Sequence, residues 1–302
     1  MKIRIIAVLA LSMALAVSCS DTNSGSEETQ QEVEVPKLEG NDFLVTIKTD
    51  LGEMKAILHD ETPQHKENFL KLAGEGYFDS LIFHRVINTF MIQGGDPDSK
   101  NAAPGQPLGS GGPGYTVPAE FVSSLFHKKG ALSAARRGAG NPEKESSGSQ
   151  FYIVQGQVTP KEQLAYDQQK VGMALNKCRT EMPDNEFVKE LEEIGETQGQ
   201  QAFVDKVFDS IDKIEELSGM DVSSTMSDEQ VEAYSTIGGT PFLDNDYTVF
   251  GQVISGLEVI DIIATVQTAP GDRPVEDVRM YISVEEMPKA DIAAKYGNPY
   301  IQ

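Results

Sequence analysis

The run from Leu81 to Gln93 constrains this chain more than any other stretch. It is apolar and rich in β-branched and aromatic residues, which reads as strand. His84 breaks it, and Arg85 and Gln93 sit inside it. Alternation puts Arg85, Ile87, Thr89, Met91 and Gln93 on one nominal face, with the Asn88-Thr89 pair interrupting the register. A half-buried arginine is costly unless it has partners. The pattern therefore marks either a site or an arginine on a solvated sheet face, and periodicity alone does not name the chemistry.

The flanking chain extends the β reading. Phe43 to Leu58 holds two apolar runs around Asp50-Leu51-Gly52, a hairpin pattern. Thr62-Pro63 opens a helix with proline at its first position, and Gly74 and Gly76 end it. Short strands follow near Leu132 and at Gln150 to Val154. Strand texture resumes at Thr248, then a short helix spans about Leu257 to Val266, and a last strand lies near Val278 to Val284.

Between these β segments the texture is helical. Phe187, Val188, Leu191 and Ile194 recur at helical spacing, as do Phe203, Val204, Val207, Phe208, Ile211 and Ile214. Thr159-Pro160 and the Ser227/Gln230 pair read as helix starts. From Gln157 to Ser235 there are 18 acidic and 7 basic residues, which supplies half of the formal net charge of −22. The expected organisation is a β domain over 41–156 and 238–288, a helical acidic insertion over 157–237 and a tail over 289–302. The insertion is either a passive decoration or a clamp built on its apolar helix faces. So acidic a chain argues against nucleic acid as a partner, because a phosphate backbone requires a basic face, while the uneven charge leaves room for a local basic groove.

The N-terminus reads as an export signal. Lys2 and Arg4 precede an apolar run, Ile5 to Ala16, which is shorter than the about 20 residues a spanning helix needs. Ala16-Val17-Ser18-Cys19 resembles the lipobox of bacterial lipoproteins, and that resemblance makes Cys19 the lipid attachment site after a signal peptide over 1–19. Residues 20–40 are polar and acidic, the composition of a disordered tether. The expected location is a bacterial cell envelope, facing the periplasm or the surface, with the membrane reached through the N-terminal lipid only. Lipidation of Cys19 leaves Cys178 without an intramolecular partner, and we read it as a helix-face residue.

Several motifs carry nothing. Gly109 to Gly114 matches the spacing of a dinucleotide loop, but Pro113 lies inside it and Tyr115-Thr116-Val117 opens no helix. The four histidines lack metal spacing, so no metal is expected. No serine sits in a nucleophile elbow.

Phe83-His84-Arg85-Val86-Ile87, followed by Phe90-Met91-Ile92-Gln93-Gly94-Gly95-Asp96, resembles the cyclophilin signature. Gly130 to Ala135, Ser149 to Ile153, Phe242-Leu243-Asp244, Tyr247 to Gly251 and Arg273-Pro274 resemble further segments of that family, in order. The resemblance covers about 42–156 and 238–287. It implies a mainly β fold, a closed eight-stranded barrel capped by two helices, with the helical insertion added. It implies a peptidyl-prolyl cis/trans isomerase that needs no cofactor, acts on proline-containing polypeptides of the envelope and assists the folding of exported proteins. By the same resemblance Arg85 is the catalytic arginine, supported by Phe90 and Gln93. Met91, Tyr152, Leu243, Phe242 and Tyr247 contact the proline ring or its surroundings, and Ala135, Arg136 and Gln150 line the backbone groove. Phe242, Tyr247 and Tyr152 stand where the common eukaryotic pattern has Trp, His and Phe. A non-catalytic module that holds proline peptides, or a client scaffold using the insertion, are the alternative readings.

Overall fold

A computed structural model describes residues 38–300 of the protein. The expected signal segment, Cys19 and most of the tether lie outside the described residues. The hairpin forms as expected from β1 (Asn41–Thr49) and β2 (Gly52–Leu58), paired through Thr49↔Gly52. Thr49 closes the bend itself: its hydroxyl donates to the Gly52 carbonyl at 2.9 Å and accepts from Leu51 N–H at 3.1 Å. Helix α1 (Pro63–Gly74) starts on its proline, which has no N–H to leave orphaned.

The run that opened the sequence reading is divided at His84 and at Asn88-Thr89 as its pattern suggests, into β3 (Leu81–Ile82), β4 (Arg85–Ile87) and β5 (Met91–Gly94). Its breaks are set by partners. Phe83 N–H turns to the Val278 carbonyl and Val86 N–H to that of Asp272, at 3.0 and 2.8 Å. Thr89 then takes a positive φ of 64° in the turn between β4 and β5. Next come β6 (Thr116–Val117), β7 (Ala131–Ala134), β8 (Ser146–Ser147) and β9 (Phe151–Val154). The insertion carries α2 (Lys161–Leu164), α3 (Gln168–Glu181), α4 (Glu186–Gln198), α5 (Gln200–Asp209), α6 (Ile211–Ser218) and α7 (Asp228–Thr236). The chain ends with β10 (Val249–Ser255), α8 (Leu257–Ala264), β11 (Arg279–Pro288) and α9 (Lys289–Tyr296).

Nine strands form one sheet in the order β3-β11-β1-β2-β10-β7-β9-β5-β4, and β6 pairs with β8 separately. All their pairings are antiparallel. The expected mainly β architecture with capping helices is present, as one antiparallel sheet of nine strands. No ladder joins β3 to β4 among the described residues, so closure into a ring of eight is not seen there. Both edges lie on one stretch of chain, 81–87, where Phe83 and His84 interrupt the pairing.

Alternation along the strands separates two faces. Phe151 and Ile153 of β9, with Ile92 and Val86, enter the main core, where Phe69 of α1 meets Phe78, Phe151 and Phe250 at 5.0–5.5 Å between ring centroids. Val259, Ile260 and Ile263 of α8 cap the same core, so the two expected helices are α1 and α8. Tyr152, Val154 and Met91 face the other way, into a smaller cluster with Leu243 and Val249. That second face carries the site.

Two expectations change outside the sheet. The segment read as a tail holds α9, whose Ile292 is fully buried against Leu44 and Ile57. The apolar faces of α3 to α6 are not a free clamp: Val171, Ala174, Leu191, Val207, Ile211 and Ile214 form the insertion's own core. Cys178 is buried on α3 as a free thiol. The Ser227 capping box is present as expected. The insertion's ends meet where Gln157 bridges Gly239, beside Gly156 at a positive φ of 63°. A Cβ on Gly156 would stand 2.4 Å from the Gly239 backbone, so the closure needs glycine there.

Candidate active site

Strand pairing aligns the polar residues of the second face. Arg85 stands opposite Gln93, Gln93 opposite Tyr152, and Tyr152 opposite Ser133 on successive strands β4, β5, β9 and β7. Directly opposed residues in an antiparallel pair share a face. The hairpin β4–β5 thus brings together an arginine and a glutamine eight residues apart in sequence.

Hydrogen bonds then fix their directions. Arg85 Nη1 donates to Gln93 Oε1 at 3.3 Å. The guanidinium has no acceptor, so it takes the Gln93 oxygen and turns the Gln93 NH₂ away. That NH₂ donates to Gln150 Oε1 at 3.2 Å, and Gln150 Nε2 donates onward to the Gly111 carbonyl at 2.8 Å. Asp272 Oδ2 lies 3.7 Å from Arg85 Nε, with both side chains more than two-fifths exposed. An exposed pair of that kind is worth about 0–1 kcal/mol, too little to withhold the guanidinium from a ligand.

Arg85 lies at a cavity of about 940 Å³. Phe90, Met91, Gln93, Ala135, Arg136, Tyr152, Leu243 and Tyr247 line it as well. Gln150 lines an adjoining cleft that shares Gln93, Ala135 and Arg136 with the cavity. Phe242 does not line the cavity; it is 42% exposed and its ring stands 5.6 Å from that of Phe90. Arg136 is held down: Nε donates to the Asp246 carbonyl at 2.8 Å and the guanidinium covers the Tyr247 ring at 4.5 Å. Both backbone groups of Ala135 are used within the protein, its N–H by the Gln150 carbonyl and its C=O by Ser147 N–H.

Four parts of the site escaped the sequence reading. His84 lines the cavity at 4% exposure, and neither ring nitrogen has a protein partner. Burial holds its pKa down to about 4. Pro104 to Gly109 and Ala269 to Val275 form a facing rim. Arg273 joins those two loops: Nη1 donates to the Ala103 and Gln106 carbonyls at 3.0 Å each, and Nη2 to Asp277 Oδ1 at 2.8 Å. The proline and glycine content of both loops was the available signal. The glycine-rich loop at 109–114 is held by a carboxylate of the chain itself. Fully buried Asp96 accepts from Gly109 N–H at 2.5 Å and Gly111 N–H at 3.3 Å.

Fold and cavity together define a sheet-face site of apolar walls and amide donors beside one reachable arginine. The model of the cyclophilin type peptidyl-prolyl cis-trans isomerase family matches residues 44–228 and 181–284, and the chain belongs to that family of enzymes. A Staphylococcus saprophyticus protein, a peptidyl-prolyl cis-trans isomerase by name, is 29% identical over 80% of this chain and 91% of its own. A Staphylococcus aureus protein of the same name is 30% identical over 83% and 95%. A Streptococcus pyogenes protein, a bifunctional phosphatase/peptidyl-prolyl cis-trans isomerase by name, is 34% identical over 78% of this chain. The chain spans only 37% of that streptococcal protein. A solved cyclophilin type isomerase from Cryptosporidium parvum aligns with 82% of this chain and all of its own, at 22% identity and a TM-score of 0.48.

Proposed function

We propose that the cavity binds a proline residue of an extended polypeptide and that Arg85 speeds rotation about the preceding amide. The prolyl amide resists rotation by about 18–20 kcal/mol because of C–N resonance, and exchange without a catalyst takes tens to hundreds of seconds. A guanidinium directed at the prolyl nitrogen interacts best when that nitrogen is twisted and pyramidal. The contact is stronger in the transition state than in the planar ground state, which is what catalysis requires. Phe90, Met91, Tyr152 and Leu243 hold the ring by apolar contact, while Gln93 aims Arg85. Gln150 and the chain at Arg136 receive the peptide backbone, Ala135 supplies part of the wall and Tyr247 bounds the far side, while Phe242 stands outside the cavity beside Phe90.

The observation that carries this reading is the Arg85–Gln93 pair at the mouth of an apolar cavity, with the glutamine amides oriented behind it. Purified full chain is expected to accelerate cis/trans exchange of a proline tetrapeptide, and Arg85→Ala to lower kcat/KM at least about ten-fold with the fold retained. Near-wild-type turnover by the variant would remove Arg85 from catalysis.

The same proposal places the enzyme in a bacterial cell envelope, assisting exported proteins from a lipid on Cys19. No helix among the described residues is long and apolar enough to cross a membrane. A net charge of −22 gives the surface no attraction to anionic headgroups. Acyl chains contribute about 0.8 kcal/mol per buried CH₂, and more than one chain is needed for stable attachment. Cys19→Ser is expected to move the protein from the membrane to the soluble fraction and abolish palmitate labelling. A wild type that is soluble and unlabelled would contradict the anchor.

A further inference from the structure

Four buried or half-buried polar side chains run from the insertion to the cavity wall. Tyr234 of α7 is fully buried and donates its hydroxyl to Asp244 Oδ2 at 2.6 Å. Gln230, one turn earlier on α7, donates to the same oxygen at 3.2 Å. The other carboxylate oxygen faces His127: Oδ1 accepts the His127 backbone N–H at 3.0 Å and lies 2.8 Å from Nδ1. His127 Nε2 in turn lies 3.0 Å from the Tyr152 hydroxyl, with the two rings stacked at 12°.

Chemistry fixes the proton directions along this path. A carboxylate only accepts, so His127 Nδ1 carries a proton and donates it to Asp244, and Nε2 on the other side of the ring meets the Tyr152 hydroxyl. Burial pushes the Tyr152 phenol well above its ordinary range; burial and then the Asp244 charge do the same for Tyr234. Both hydroxyls therefore stay protonated and able to donate. Asp244 also belongs to the segment that carries Leu243 and Tyr247 into the cavity. Gln169 of α3 donates to the Phe242 carbonyl of that segment at 2.5 Å. The insertion thus grips one cavity wall directly and reaches a second through His127.

We propose that Tyr234 is a positioning residue for the proline pocket, acting through Asp244 and His127 on the Tyr152 ring. The insertion is then part of the framework of the site, not a separate appendage. This rests on the isomerase reading above. A pocket wall pinned at its far end by a buried hydrogen bond holds its shape as the substrate twists, and apolar contact alone would leave the ring free to shift.

The test is a double-mutant cycle in the full chain, read by isomerase kcat/KM and by the ¹⁵N resonances of the His127 imidazole. Tyr234→Phe removes one hydroxyl and keeps the ring on Phe126, 5.4 Å away. Tyr234→Phe and Tyr152→Phe are each expected to lower kcat/KM at least about three-fold, and the double variant to be no worse than the poorer single one. Gln230→Leu, which removes the second donor to the same oxygen, shifts the rate in the same direction by less. Tyr234→Phe is also expected to displace the Nε2 resonance, on the side facing Tyr152, as well as Nδ1. Additive losses in the cycle, or wild-type kcat/KM in Tyr234→Phe, would overturn the proposal. So would an unmoved Nε2 resonance, and that reading needs no turnover. Absence of wild-type isomerase activity would refute the isomerase reading and leave the imidazole shifts to decide the network.

Discussion

Arg85 can only donate, and from that property follow the orientations of two glutamines behind it. Gln93 was legible in the sequence because it shares the Arg85 motif, whereas its link to Gln150 and Gly111 depends on strands 57 residues apart. His84 escaped because a histidine next to a conspicuous arginine has no periodic signal of its own. Its burial has a measurable consequence. The native ring has a pKa of about 4, while an unfolded histidine titrates near about 6.5. Between those values the unfolded chain binds a proton that the native chain does not. Stability is therefore fully present above about pH 6.5, falls as pH drops, and levels off below about pH 4. His59, also held to about 4 by burial, contributes in the same sense. Denaturant unfolding of His84→Asn between about pH 4.5 and about pH 6 should show a slope smaller by up to about 1.4 kcal/mol per pH unit. A slope equal to that of the wild type would mean that His84 is protonated in the native protein.

Elements governed by local rules were read correctly. The β1–β2 hairpin, the proline start of α1 and the Ser227 capping box each depend on residues within a turn of one another. Elements governed by distant partners were read only in part. The breaks in the β3–β4–β5 run were legible at His84 and Asn88-Thr89, but the backbone partners of the run, the Val278 and Asp272 carbonyls, are announced by no local pattern. Helix α9 was missed because eight residues with one fully buried side chain, Ile292, carry little amphipathic signal. The insertion was recognised by its helical spacing, but its apolar faces could equally have served a partner or its own core. Only packing separates those outcomes. Packing also gives the insertion a hold on the sheet domain, since Leu164 and Tyr234 share a cluster with Phe126. Replacing residues 158–236 with a short Gly/Ser linker is therefore expected to lower the melting temperature. Small-peptide kcat/KM should fall at least as far as in Tyr234→Phe. Unchanged activity in a folded deletion variant would make the insertion dispensable to the pocket.

At the scale of the whole molecule, the sheet turns both of its edges onto the 81–87 stretch and sets Arg85 at the start of β4, where pairing resumes. The interior is sealed by α1 and α8, so the site has to lie on the other face, where Tyr152 and Met91 are directed. A site of this kind has few ways to act. On the proposed reading its apolar walls would bind the ring, its amides would bind the backbone, and one guanidinium would remain for the nitrogen that changes geometry. The central claim is that Arg85 acts on the twisted amide and contributes little to holding the planar one. Exchange spectroscopy on a proline peptide measures both quantities in one sample, the affinity from titration shifts and the bound-state interconversion rate from exchange. The account predicts that Arg85→Ala slows bound-state interconversion at least about ten-fold while changing the peptide Kd less than about three-fold. Equal losses of affinity and rate, or an unchanged bound-state rate, would contradict it.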